Sequence, residues 1–208
     1  MTDDVPKSLA SPAAREARAA RILDAHVAPL NRFVQSLRAR LGKEYSIPYF
    51  DPLDGGVNAD ILFLLEAPGP KAVQSGFVSR NNPDETAKNF FELNAEAGIP
   101  RERTVTWNVV PWYIGTGARI RPATVLDLRD AHGPLHELLA LLPAVRSVAL
   151  VGRKAQCARD VIAGLRPQAV LYDVPHPSPM FINRAPGNRR CVFAALRILA
   201  SHGHGGTA

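Results

Sequence analysis

Three short stretches of this chain pair chemically useful side chains with residues that stiffen the backbone around them. Glu66 opens Glu66-Ala67-Pro68-Gly69-Pro70, Asn108 precedes Pro111-Trp112, and His176 sits within Pro175-His176-Pro177-Ser178-Pro179. A carboxylate can hold negative charge beside a reacting centre. An amide offers a donor and an acceptor, and an imidazole can donate to an oxygen on which charge develops. Taken singly, each has a plain structural use: Glu66 as a helix cap or ion-pair partner, Asn108 as a strand-end amide, His176 as a satisfied loop histidine. The third stretch is the oddest, because its prolines are followed by two bare apolar residues, Met180 and Phe181, and then by Arg184.

The surrounding pattern indicates how these stretches are positioned. Ser11-Pro12 reads as a helix start, with Ser as N-cap and Pro in the first turn. Leu23, Val27, Leu30, Val34, Leu37 and Leu41 then step by three and four, with a break expected at Pro29 and a stop at Gly42. Arg15, Arg18, Arg21, Arg32, Arg38 and Arg40 are expected on the solvated face. Residues 1–10 read as a loose tail and 203–208 as a frayed end. Beyond a turn-rich loop, "DILFLLEA" reads as a buried strand, 83–98 as a helix, and "TVTWNVVPW" as a second strand. Residues 125–142 read as one apolar helix, "SVALVG" as a third strand, "RKAQCARDVIAGL" as a helix, "QAVLYDVPH" as a fourth strand, and "NRRCVFAALRILASH" as the closing helix. Alternating strands and helices predict an α/β fold: three layers, α/β/α, around a four-stranded, mainly parallel sheet, plus an N-terminal helical extension. The expected division is 1–50 for tail and extension and 51–208 for the α/β domain, forming a single globular unit overall. Ligands of such sheets sit beyond the carboxyl ends of the strands, so this architecture would gather Glu66, Asn108 and His176 on one rim.

Composition narrows the function classes. The chain has 208 residues, of which 46% are hydrophobic and 21% charged, with a net charge of +6. That is ordinary globular composition with a basic bias, which suits a polyanionic partner. No run of about 18 apolar residues suggests a membrane span. The polar start, with no apolar leader core, makes a cytoplasmic protein the expectation. Two cysteines, Cys157 and Cys191, are too few for a disulfide framework and lack CxxC spacing. They are expected to be small buried apolar residues. No GxGxxG or Walker-type loop is present, which argues against a nucleotide-binding enzyme.

In order and spacing, "LEAPGP", "TWNVVPW" and "PHPSPMFINR" resemble three motifs of the uracil-DNA glycosylase superfamily, nearest to the GEAPG and HPSP signatures of families 4 and 5. The likeness covers roughly residues 55–200. It implies base flipping and hydrolysis of the N-glycosidic bond of uracil, or of other deaminated bases, in DNA, a form of base excision repair that leaves an abasic site. It further implies that His176 donates to the uracil O2, that Asn108 reads the base edge, and that Phe77 stacks on the base. Ala67, Pro68 and Gly69 would line the substrate loop. Ser178 is similar to a residue contacting the DNA backbone. Met180 and Phe181 suit an apolar wedge in the gap left by the flipped nucleotide. Arg184, Arg189 and Arg190 suit phosphate contacts.

This chain also departs from those patterns. Leu65 replaces the Gly that opens GEAPG, and Ala67 stands where the best-known members carry a water-activating Asp. Glu66 is then the nearest carboxylate for water activation or for stabilising the cationic sugar. The four cysteines that hold an iron–sulfur cluster in families 4 and 5 are absent, so no cluster and no other cofactor is expected. No lysine lies within the motifs to attack the sugar, which points to a monofunctional glycosylase, expected as a monomer. The alternative is a nucleic-acid or damage-binding module on the same fold that lost turnover. Ala67 motivates it, and it predicts salt-dependent binding without base release.

Overall fold

The computed structural model describes residues 4–117 and 119–202; the expected frayed end, 203–208, lies outside them. In chain order the elements are α1 (Pro12–Ala19), α2 (Ala28–Leu41), β1 (Tyr49–Phe50), β2 (Ile61–Leu65), α3 (Pro70–Ser75), β3 (Phe77–Val78), α4 (Glu85–Ala97) and β4 (Thr104–Asn108). They continue as β5 (Gly115–Thr116), β6 (Arg119–Ile120), α5 (Val125–Asp130), α6 (His132–Ala140), β7 (Ser147–Val151), α7 (Arg153–Gln156), α8 (Arg159–Leu165), β8 (Val170–Val174), α9 (Pro179–Ile182) and α10 (Asn188–Ser201).

The central sheet has the order β4-β2-β7-β8 and every pair in it is parallel. The α/β expectation is therefore met, with all four anticipated strands in place. Successive strand residues point to opposite faces, as the pleat requires. Leu62, Leu64, Val105, Trp107, Val148 and Leu150 enter one core with α2, α6 and α8. Ile61, Phe63, Ala149, Val151 and Val174 enter a second core with α4 and α10. Helices on both faces explain why the strands read as unbroken apolar runs. The chain steps from β2 to β4 on one side, then returns past β2 to β7 on the other. The strand order thus reverses between β2 and β7, the place where open sheets of this kind bind ligands beyond the strands' carboxyl ends.

Several local expectations hold for the reasons given. Ser11 caps α1 by accepting from the Ala14 amide, and Pro12 occupies its first turn. Pro29 lies in the first turn of α2 rather than inside a longer helix, and Gly42 ends that helix at φ 95°. Asp84 caps α4 and Gly98 closes it. Trp107 stacks on Phe50 at 3.7 Å between ring centroids, and Trp112 is buried against the edge of Tyr45; both pack as core residues.

Other expectations are corrected. Of the segment expected to be a loose tail, residues 4–10 are anchored and 1–3 lie outside the described residues: Leu9 is fully buried, Asp4 pairs with Arg101, and Lys7 with Glu85. Arg18 is not solvated; it is buried in an ion pair with Asp51. Leu23, placed on the apolar stripe, falls between α1 and α2 and is exposed. The apolar helix of 125–142 divides into α5 and α6 at Ala131, just ahead of Gly133-Pro134, leaving Val125 and Leu126 exposed. Residues 153–165 likewise divide into α7 and α8. Cys157 and Cys191 are both exposed. The neighbours Ala155, Ala158 and Val192 take the core-facing positions, which leaves the cysteines outward. Among the described residues no helix is long and apolar enough to cross a membrane.

Candidate active site

The parallel register brings four strand ends to one level. Leu65 pairs with Asn108, and Val151 pairs with Val174. Glu66 follows β2, Gly152 follows β7, and Pro175-His176 follow β8. The ladders run one step past the strands: Val110 N–H donates to the Glu66 carbonyl at 3.0 Å, and Gly152 N–H donates to the Val174 carbonyl at 2.8 Å. Glu66 and Gly152 follow the two strands between which the order reverses, and Asn108 ends the strand beside β2.

Asn108 is 3% exposed, and its Nδ2 is buried with no hydrogen-bond partner among the described residues. Leaving such a donor unmade costs about 1–3 kcal/mol, so buried amides are normally paired. This unpaired donor stands at the carboxyl end of β4, the end of such sheets where ligands bind.

His176 is packed into the rim. It lies against Gly152, where a Cβ would meet the His176 Cβ and Cδ2 at 3.2 Å each. Gly152 also has φ 86°, a conformation that disfavours other residues. Glycine is therefore required there twice, by backbone and by neighbour. Burial lowers the His176 imidazole below its ordinary 6.5, against the opposing pull of the Glu66 and Asp84 carboxylates. The ring is held neutral near pH 7, with one N–H available to donate. Helix α4 braces this loop, because Asn89 Nδ2 donates to the Pro177 carbonyl at 2.9 Å. Burial also lifts Asp84 above the usual carboxylate range, although the Ala87 and Thr86 amides bind it.

Glu66 Oε1 accepts the Ala123 amide at 2.6 Å, which leaves Oε2 as the open oxygen of the carboxylate. Pro68 is buried and Ala67 packs against the first core. A Cβ at Gly69 would meet nothing within 4 Å, so the outer side of this loop is open to approach. Phe77 is buried on β3, tilted against Tyr49 at 6.4 Å between ring centroids.

The remaining residues divide. Ser178 caps α9, its Oγ accepting the Phe181 amide at 3.3 Å. Met180 is 83% exposed, whereas Phe181 packs inward against the second core. Of the two residues expected to form a wedge, Met180 alone stands largely in solvent. Arg184 and Arg190 are exposed. Arg189 is exposed but paired with Glu96 of α4 at 2.6 Å. The iron–sulfur ligand set does not fit this chain: it has two cysteines, both facing solvent, where four are needed.

Gly152, Asp84, Asn89 and Lys154 are rim residues that the sequence reading missed. The positive φ of Gly152 and its closeness to His176 have no sequence signature. Its place at the end of "SVALVG", level with the other strand ends, was the available clue.

A family model described as the uracil DNA glycosylase superfamily matches residues 52–200. Among solved structures, the chain is similar to the solution NMR structure of a candidate uracil DNA glycosylase from Methanosarcina acetivorans. That likeness has 17% identity and a TM-score of 0.48, and covers 69% of this chain and 92% of the other. No curated protein matches the chain. The family match takes in all the rim residues described above, and this chain belongs to the uracil DNA glycosylase superfamily.

Proposed function

We propose that the protein is a monofunctional DNA glycosylase that hydrolyses the N-glycosidic bond of uracil in DNA. The observation that carries this reading is the unpartnered, buried Nδ2 of Asn108, on a rim it shares with Glu66 and a neutral His176. A flipped uracil offers the carbonyl oxygen that this amide lacks. As the bond between C1′ and the base nitrogen breaks, its electron pair leaves with the base and positive charge builds on the sugar. The His176 N–H stabilises the base oxygen on which negative charge collects. Water adds to C1′, and its released proton balances the departing base. Glu66, with one oxygen pinned by Ala123, turns the other toward the cationic sugar or the attacking water. That is the carboxylate role left open by Ala67 at the usual Asp position.

Phe77 lies under the base, and Ala67, Pro68 and Gly69 form the loop along it. Met180 enters the gap in the duplex. Ser178, Arg184, Arg189 and Arg190 follow the backbone, where the net charge of +6 favours binding. Arg189 reaches phosphate by leaving Glu96, an exposed pair whose loss costs little. The protein acts as a monomer in the cytoplasm and needs no cofactor.

The test is incubation with uracil-containing oligonucleotide, then alkaline cleavage of abasic sites. Wild type releases uracil, and His176→Ala slows release by about 100- to 1,000-fold. No release above that variant, on single or double strands, would overturn the reading. Tight, salt-dependent binding without release would instead establish the binding module.

A further inference from the structure

The Glu66 carboxylate is held by one hydrogen bond, from the Ala123 amide at 2.6 Å. The final torsion of a glutamate side chain is soft and roughly two-fold, so the position of that one donor sets the plane of the carboxylate. What fixes Ala123 therefore fixes where the open oxygen of Glu66 points.

Ala123 is gripped a second time. Lys154 Nζ, on α7, donates to the Ala123 carbonyl at 2.8 Å. The segment around Ala123 is otherwise fastened largely to itself. Arg121 pairs with Asp127 at 2.6 Å, and Thr124 and Asp127 form a reciprocal cap at the start of α5. Beyond its own methyl group, which is buried in the first core, Ala123 is tied to the sheet rim by Glu66 on one side and Lys154 on the other. Lys154 is half-buried and lies two residues after Gly152, the residue against which His176 packs. It thus links the β7 end of the rim, against which His176 packs, to the β2 end, which carries Glu66.

We infer that Lys154 is a positioning residue: it holds Ala123, and Ala123 aims the carboxylate of Glu66. The catalytic half of this inference rests on the glycosylase reading above, whereas the mechanical half does not. The Lys154 amine is committed to a carbonyl, so its part is orientation rather than attack on the sugar.

The test uses the full chain with Lys154→Met, with Lys154→Arg as the rescue. Hydrogen exchange at the Ala123 amide reports the grip, and single-turnover uracil release reports its consequence. In Lys154→Met, Ala123 is expected to exchange about tenfold faster while the central strands keep their protection. Uracil release should slow about ten- to a hundredfold, with affinity for the oligonucleotide unchanged within about twofold. Lys154→Arg, which keeps a charged donor, should recover most of both. Unchanged Ala123 exchange in Lys154→Met overturns the inference whatever the enzyme does, and so does a loosened Ala123 with an unaltered release rate. Uniform loss of protection across all strands also overturns it, because Lys154 would then be only a stabilising residue. If wild type releases no uracil, the glycosylase reading fails by itself, and Ala123 exchange still decides whether Lys154 holds the partner of Glu66.

Discussion

The two ends of β4 make opposite use of buried polarity. The strand is five residues long, buried throughout, and spans about 13 Å. At its first residue, Thr104 joins a cluster of buried charges. Asp51 accepts from Arg18, Arg101, Ser79 and the Leu53 amide, while Arg101 also binds Asp54, Asp4 and Asn81. Burial pushes Asp51 up, but Arg101, Arg18 and Ser79 together hold it below the ordinary carboxylate range. Asp54, less well served, is lifted by burial despite Arg101 and Arg80. At the last residue, Asn108 presents a buried donor that none of the described residues satisfies. The charged end is largely closed on itself, although Arg18 Nη2 and Arg80 Nε there also lack partners among the described residues, whereas the amide of Asn108 stands at the strand's carboxyl end. The cluster reaches from the N-terminal segment through α1 to Arg101. It explains why residues 4–19 form part of the folded unit.

This contrast can be broken from either end. The largest effect should come from Asp51→Ala, which leaves Arg18 and Arg101 buried beside lost partners. It should cost about 3–5 kcal/mol in urea unfolding, while uracil release per folded molecule stays near wild type. A loss of release without loss of stability would move the cluster into the site.

A smaller effect is expected from pH. The folded His176 value lies below the unfolded 6.5, so its contribution to stability is complete above 6.5 and is lost as pH falls through the folded value. Release that depends on the neutral ring should hold from pH 7.5 past 6.5 and decline only below that. A pH–rate profile with its acid limb at or above 6.5 would mean that burial does not control the ring. The smallest effect belongs to Met180→Ala, which should slow release from duplex roughly five- to tenfold and leave single strands unaffected. Equal losses on both substrates would remove the wedge role.

Much of this architecture was legible in the sequence because local patterns carry it. Four apolar runs became the four strands, Pro12 marked a helix start, Pro29 a break in the apolar stripe and Gly42 a helix end. Features that depend on distant pairing were not legible. The short β1–β3 ladder joins Tyr49 to Phe77, 28 positions apart, and two-residue strands leave no periodic trace. Arg18 sits on a helix rich in arginine, and its burial depends on Asp51, 33 positions away. The candidate site divides in the same way. Glu66, Asn108 and His176 stood out by residue type and flanking prolines. Lys154 and Gly152 act through neighbours that only the folded sheet supplies. Phe181 differs from Met180 because α9 turns successive side chains by about 100°, which brings Phe181 toward the second core and leaves Met180 in solvent.

The central claim is that the open end of β4 is kept unsatisfied for a base. Replacing Asn108 by Leu removes the orphan donor and retains a side chain of similar size. Single-turnover uracil release and thermal unfolding, measured together on wild type and Asn108→Leu, test the claim most directly. The account predicts release about 100-fold slower or worse in the variant, with Tm equal to or above that of wild type. Release at the wild-type rate, or a variant destabilised as though a satisfied amide had been lost, would contradict it.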